Sequence, residues 1–176
     1  TKETYTRLIS SNECGKESVS SGIDSFLFMK VLMVCLGNIC RSPLAHGILE
    51  ELAPKDWFID SAGTSSWHKG ERPDTRSIIT ARAHGMDIDH QRSRPVVVSD
   101  FEEFDVIFAM DSSNHSHLMQ LAPNDQAKAK IRLIMNEAYP EQNLQVPDPY
   151  TGGDEGFEQV YQMLKESITT FLQHNA

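Results

Sequence analysis

The feature that most restricts this chain is a short apolar run, Val31-Leu32-Met33-Val34, that passes without a linker into Cys35-Leu36-Gly37-Asn38-Ile39-Cys40-Arg41 and then Ser42-Pro43. A brief β-rich apolar run suits a strand buried on both faces, the kind found in parallel sheets. Ser-Pro is a helix opening, with Ser as cap and Pro in the first turn. A strand, a tight curl and a helix N-terminus therefore follow one another directly, which is the first half of a βα unit.

The rest of the chain repeats this alternation. Leu44, Ile48, Leu49 and Leu52 line one face of the first helix, and Pro54 ends it. Trp57 to Ile59 reads as a second strand closed by Ser61-Ala62-Gly63, and Asp74 to His84 as a helix with Ile78, Ile79 and Ala83 inward and Gly85 as its stop. Asp105 to Ala109 is the third strand, Asp111 to Leu121 a helix starting at an Asp cap, and Ile131 to Met135 a fourth strand. Residues 136–153 form a long loop rich in Pro and Gly. Phe157, Val160, Tyr161, Leu164, Ile168, Phe171 and Leu172 then recur at helical spacing. Four strands alternating with helices predict an α/β fold, a four-stranded parallel sheet with helices on both faces. Ligands in such folds sit beyond the carboxyl ends of the strands, so the turn after the first strand is the expected site.

Residues 29–176 read as a single domain, and residues 1–28 as an N-terminal extension or an artificial remnant, loosely attached, with Met29 as the natural start. The formal charge of −9 disfavours nucleic acid as a partner, since phosphate backbones require a basic surface. It leaves room for a small phosphate in one local positive pocket. No apolar run reaches a membrane span and the start lacks a signal-peptide pattern, so no membrane association is expected. Three cysteines, Cys14, Cys35 and Cys40, do not make a disulfide framework and point to the reducing cytoplasm.

The curl after the first strand carries chemistry. Cys35 stands where the strand ends, and Arg41 follows after five residues. The thiolate is the nucleophilic form of cysteine, and a helix N-terminus offers the partial positive charge and free N–H groups that favour an anion. The same N–H groups can hold a phosphate dianion. Gly37 and Asn38 tolerate the positive φ expected in a tight curl. Arg41 offers a planar fork matching two phosphoryl oxygens, and Ser42 a hydroxyl for the sulfur while it caps the helix. A lone cysteine at a strand end is ordinarily a buried structural thiol. The strand before, the Gly-Asn turn within and the Ser-Pro helix after favour the functional reading.

The stretch V-C-L-G-N-I-C-R-S-P resembles the phosphate loop of low-molecular-weight protein tyrosine phosphatases. The resemblance runs from about Met29 to Leu172 and includes S-A-G-T at 61–64, A-M-D-S-S-N at 109–114 and D-P-Y at 148–150. It implies a phosphotyrosine hydrolase working through a cysteinyl phosphate, with Cys35 as nucleophile, Arg41 as clamp and Asp148 as general acid. Leu36, Gly37, Asn38, Ile39, Cys40 and Ser42 would complete the phosphate site. Asn38 and Ser61 would brace the loop, as would Gln91, the His-or-Gln position before Arg92-Ser93-Arg94. Ile39, Trp67 and Tyr150 would wall the ring. Thr151-Gly152-Gly153 after Tyr150, in place of a second aromatic, resembles bacterial-type members. Their partners are tyrosine-phosphorylated proteins, a bacterial tyrosine kinase among them. No metal or organic cofactor is implied. Cys40 could form a reversible disulfide with Cys35.

Three other readings compete. An arsenate reductase of this fold needs two further downstream cysteines, and none follows Cys40. Arginine phosphatases of this fold resemble the chain but carry Thr where Ile39 stands. A non-catalytic phosphotyrosine-binding module would have lost the nucleophile or the acid. His115 with His117, and His84 with His90, lack further ligands at metal spacing and read as surface residues.

Overall fold

The computed structural model describes residues 28–175, so the reading of residues 1–27 as an extension lies outside the described residues. Its sheet is parallel throughout, in the order β2-β1-β3-β4. The strands are β1 (Lys30–Cys35), β2 (Phe58–Gly63), β3 (Val106–Ala109) and β4 (Ile131–Leu133). The helices are α1 (Arg41–Leu52), α2 (Thr75–Ala83), α4 (Ser112–Leu121) and α6 (Asp154–Asn175), with single turns α3 (Asp100–Glu103) and α5 (Asp125–Lys128) that the sequence reading did not find.

Side chains alternate across the central strand, as a pleated strand requires. Val31, Met33 and Cys35 face a core shared with α1, α2 and α6, where Leu44, Leu49, Phe157, Leu164 and Phe171 are fully buried. Leu32 and Val34 face the other core, with Phe101, Phe104, Ile107 and Leu118. Both faces are covered, and Cys35 at the carboxyl end of β1 is directed to the α1 side.

Several elements differ in detail from the sequence reading. β2 continues through Ser61-Ala62-Gly63 because these residues pair with Met33, Val34 and Cys35. Gly63 ends against the turn that follows β1, where a Cβ would lie 2.8 Å from the Leu36 carbonyl. In α2, Ile78 and Ala81 are buried, whereas Ile79 is 61% exposed and Ala83 is exposed, so the inward phase is shifted. Leu52 is also exposed, in the last turn of α1. β4 stops at Leu133 and passes into a 3-10 turn, Ile134–Asn136. Asp74 caps α2 and Gly85, at φ +81, lies just past its end. His84 stacks on Tyr161 and bonds the Glu158 carboxylate, fastening α2 to α6. Among the described residues no helix is long and apolar enough to cross a membrane.

Candidate active site

The turn from β1 to α1 curls around the Cys35 sulfur. Ser42 was expected to cap α1, but the cap position is Cys40, which makes no side-chain cap bond. Ser42 lies in the first turn with its hydroxyl 3.1 Å from Cys35 Sγ. The Asn38 backbone N–H donates to the same sulfur at 3.2 Å. A backbone N–H aimed at the sulfur, with a hydroxyl beside it able to donate, suits an anion at that atom.

The loop's carbonyls are drawn outward by donors from the surrounding elements. Cys35 O accepts from Thr64 N and Leu36 O from Ser65 N. Gly37 O accepts from Ser93 Oγ at 3.0 Å, Ile39 O from Asp74 N at 2.7 Å, and Cys40 O from Ser77 Oγ at 3.2 Å. A trans peptide carries its C=O and the next N–H on opposite sides, and no peptide here is cis. Outward carbonyls at 35, 36, 37, 39 and 40 therefore turn the N–H groups of 36, 37, 38, 40 and 41 inward. The bond from Asn38 N to the sulfur is one visible instance. The result is a nest of donors at a helix N-terminus, an anion site by construction.

Asn38 is the pin of this loop. It is the loop residue in the left-handed region, at φ 54, which Asn tolerates well. Its Nδ2 donates to Ser42 Oγ and Ser61 Oγ, each at 2.9 Å, and its Oδ1 accepts from Arg94 N at 2.9 Å. Ser61 is thereby bonded to the loop through Asn38. Gly37, expected to share the positive φ, does not adopt it. Its missing side chain matters for space instead, since a Cβ would lie 3.0 Å from His68 Cδ2. Gln91 is buried but is not on the loop: its amide donates to Pro43 O at 3.3 Å, behind the first turn of α1. The following residues, Ser93 and Arg94, make the loop contacts.

Arg41 leaves the loop at the start of α1 with its side chain only 4% exposed. Nη1 donates to Asp111 Oδ2 at 2.6 Å and to Val146 O at 3.1 Å. Nη2 donates to Asp148 Oδ2 at 3.0 Å. Burial alone would pull the guanidinium down, but the negative groups Cys35, Asp111 and Asp148 outweigh it and hold Arg41 above its ordinary value. Asp111 serves twice, capping α4 through Oδ1 to Asn114 N at 2.7 Å while Oδ2 aims Arg41. The sequence showed the cap; its second duty left no local signal.

Asp148 is 44% exposed, and its Oδ1 accepts from Tyr150 N at 3.1 Å in a turn of its own. Cys40 is different in kind: burial first, then the negative fields of Asp74 and Cys35, push its thiol up to about 12. Both Cys35 and Cys40 are free thiols.

Cys35, Arg41 and Asp148 line one small cleft of about 130 Å³. Cys35, Leu36, Gly37, Ile39, Cys40 and Arg41 form its floor, and Trp67, His68, Asp148 and Tyr150 its rim. Trp67 is 76% exposed and Tyr150 51%, so both rings stand open at the mouth of the cleft. His68, which the sequence reading passed over, is held by Glu71 Oε2 at 2.8 Å. Among the described residues no group of three or more His, Cys, Asp or Glu could hold a metal ion.

The family model for low molecular weight phosphotyrosine protein phosphatase matches residues 30–175. Low molecular weight phosphotyrosine protein phosphatase 1 of Drosophila melanogaster is 42% identical over 149 residues, covering 82% of this chain and 95% of its own. A protein tyrosine phosphatase of Entamoeba histolytica, solved with Hepes in its active site, superposes with a TM-score of 0.77 at 39% identity, over 82% of this chain and 95% of that one. An arginine phosphatase from Drosophila superposes equally well, with a TM-score of 0.77 at 38% identity over 83% and 97%. Fold, order of motifs and extent of the match agree, and the chain belongs to the low molecular weight phosphotyrosine protein phosphatase family.

Proposed function

We propose that this chain hydrolyses phosphotyrosine in proteins, with Cys35 as nucleophile, Arg41 as phosphate clamp and Asp148 as general acid. The observation that carries the reading is one cleft in which the Cys35 sulfur, a ring of inward N–H groups, Arg41 and the Asp148 carboxylate meet. The phosphoryl oxygens dock on the N–H groups and on Arg41, displacing Asp148 from Nη2. Sγ attacks phosphorus in line. As the P–O bond to tyrosine breaks, the leaving oxygen takes the proton of the Asp148 carboxyl. The Asp148 carboxylate next takes a proton from water, whose oxygen attacks phosphorus. The P–S bond breaks, the thiolate is regained and phosphate leaves. Fixed donors around the equatorial oxygens supply most of the barrier lowering.

Leu36, Gly37, Asn38, Ile39, Cys40 and Ser42 belong to the phosphate site in this reading, and Ile39, Trp67 and Tyr150 receive the ring. The catalytic unit is residues 29–176, supported by a family match that begins at residue 30. Free thiols at Cys35 and Cys40 support a cytoplasmic setting, and the counterpart enzyme is a tyrosine kinase. Turnover requires no metal, so chelators leave it unchanged and vanadate inhibits it.

Phosphoarginine is the second reading, favoured by the Drosophila arginine phosphatase of equal TM-score. Ile39, buried at the cleft floor, offers no hydroxyl to a guanidinium. The deciding experiment offers phosphotyrosine and phosphoarginine peptides to the native protein and to Cys35→Ser. Phosphotyrosine turnover that vanishes in Cys35→Ser is expected; faster release from phosphoarginine overturns the substrate, and turnover surviving in Cys35→Ser overturns the mechanism.

A further inference from the structure

Arg76 on α2 touches both halves of the site, and the mechanism above gives it no task. The start of α2 is fastened to the phosphate loop: Asp74 N donates to Ile39 O at 2.7 Å and Ser77 Oγ to Cys40 O at 3.2 Å. Arg76 bends back over this start. Nε and Nη2 grip the two oxygens of Asp74 at 3.0 and 2.9 Å. The rest of the fork reaches the loop that carries Asp148. Nη2 donates to Tyr150 O at 3.1 Å and Nη1 to Gly152 O at 3.0 Å. The guanidinium carbon lies 4.5 Å from the centre of the Phe157 ring and 5.9 Å from that of Tyr150.

The link to Asp148 is short. Tyr150, whose carbonyl Arg76 holds, donates its own N–H to Asp148 Oδ1. The neighbouring bond from Gly152 N to Pro149 O lies within the segment and ties it to nothing else. We propose that Arg76 is a positioning residue for the general acid, fixing the backbone of residues 150–152 so that the Asp148 carboxyl stays over the phosphate loop. The proposal rests on Asp148 being the acid.

A helix-cap role alone does not account for this geometry. The ion pair with Asp74 uses Nε and one edge of Nη2; the bonds to Tyr150 O and Gly152 O add nothing to that cap. Nor would another cation serve, because a planar fork spans the carboxylate and two carbonyls at once, whereas an ammonium is a single point. By joining α2 to both loops, Arg76 sets the distance between sulfur and acid, and small displacements of that kind are costly.

The test compares native protein, Arg76→Met, Arg76→Lys, Asp148→Ala and Arg76→Met/Asp148→Ala on aryl phosphates whose phenols differ in acidity, reading kcat/KM, with thermal melting and the vanadate inhibition constant as controls. Arg76→Met is expected to lower kcat/KM about tenfold for phenyl phosphate and little for dinitrophenyl phosphate, with vanadate inhibition within about twofold of native. Arg76→Lys is expected to follow Arg76→Met, and the double variant to show no loss beyond Asp148→Ala. A native dependence on the leaving group in Arg76→Lys or Arg76→Met overturns the proposal, as does equal loss on all substrates accompanied by weaker vanadate binding, which is the mark of a merely structural role. If Arg76→Met does not fold, Arg76→Lys decides by the same readout. Asp148→Ala read by itself separates the two claims: losing equally on all esters, it removes the acid assignment and this proposal with it.

Discussion

The loop that holds Cys35, the proposed nucleophile, and the loop that holds Asp148, the proposed acid, are built on opposite principles. Of residues 35–41 all but Leu36 and Gly37 are buried, and five of their carbonyls are bonded to donors from the residues just after β2, the start of α2 and Ser93. Around Asp148, most residues from 141 to 153 are exposed. That loop is tied to the body by Val146 N on Met110 O, by Asn143 on Asn136, by Ser112 on Gln145, and, nearer Asp148, by Arg41 and Arg76. The difference follows from the chemistry. A nucleophile aimed in line at phosphorus gains from immobility, because preorganised donors cost no reorganisation at the moment of reaction. An acid that gives a proton to one atom and takes one from another must change partners. Its ion pair with Arg41 is one that a docking phosphoryl group can replace.

The sharpest way to break this contrast is to delete each loop's reactive group. Cys35→Ser is expected to abolish turnover by a factor on the order of 10⁴–10⁶, measured as phosphate release from phenyl phosphate, while the fold persists. Asp148→Ala is expected to slow phenyl phosphate by about 10²–10⁴ and dinitrophenyl phosphate far less. Its melting temperature should stay close to native, because the side chain is nearly half exposed. A large fall in melting temperature would mean that the acid loop is as integral to the core as the phosphate loop.

Asn38→Ala probes the rigid side. It orphans Ser61 Oγ and Arg94 N and places Ala at φ 54. The expected cost is about 1–3 kcal/mol of stability by urea unfolding, with a loss of about 10–100-fold in kcat/KM. Unchanged stability would show that the loop is held by something other than this amide. The smallest effect concerns Cys40. Its thiol, pushed up to about 12, stays protonated at neutral and moderately alkaline pH, and reacts only as pH nears that value. Iodoacetamide is therefore expected to modify Cys35 and spare Cys40 between pH 7 and 10, mapped by peptide mass; equal labelling at pH 8 would contradict its burial.

Much of this division was legible beforehand. Short apolar runs and helical spacing show four strands and four helices in order, and Cys35, Arg41 and Asp148, read from separate motifs, line one cleft. What was hidden shares one cause. Thr64, Ser65, Asp74, Ser77, Ser93 and Arg94 hold the phosphate loop from distant positions, and each alone looks like an ordinary polar residue of a cap or turn. Of the two duties read for Ser42, only the helix cap fails: its hydroxyl lies against the Cys35 sulfur as expected, and the cap position of α1 is Cys40, without a side-chain cap bond. Gln91 and Ser93 differ by two residues, and only tertiary packing decides which reaches Gly37. In α2 both Ile78 and Ile79 fit an inward stripe, and contact with α6 selects the first.

The most direct test of the account is to quench the Asp148→Ala variant during turnover of dinitrophenyl phosphate, when its second step lacks a base, and to map the phosphate by mass. A phosphoryl group on the Cys35 sulfur is the predicted result. Steady turnover with phosphate on another residue, or on none, would contradict it.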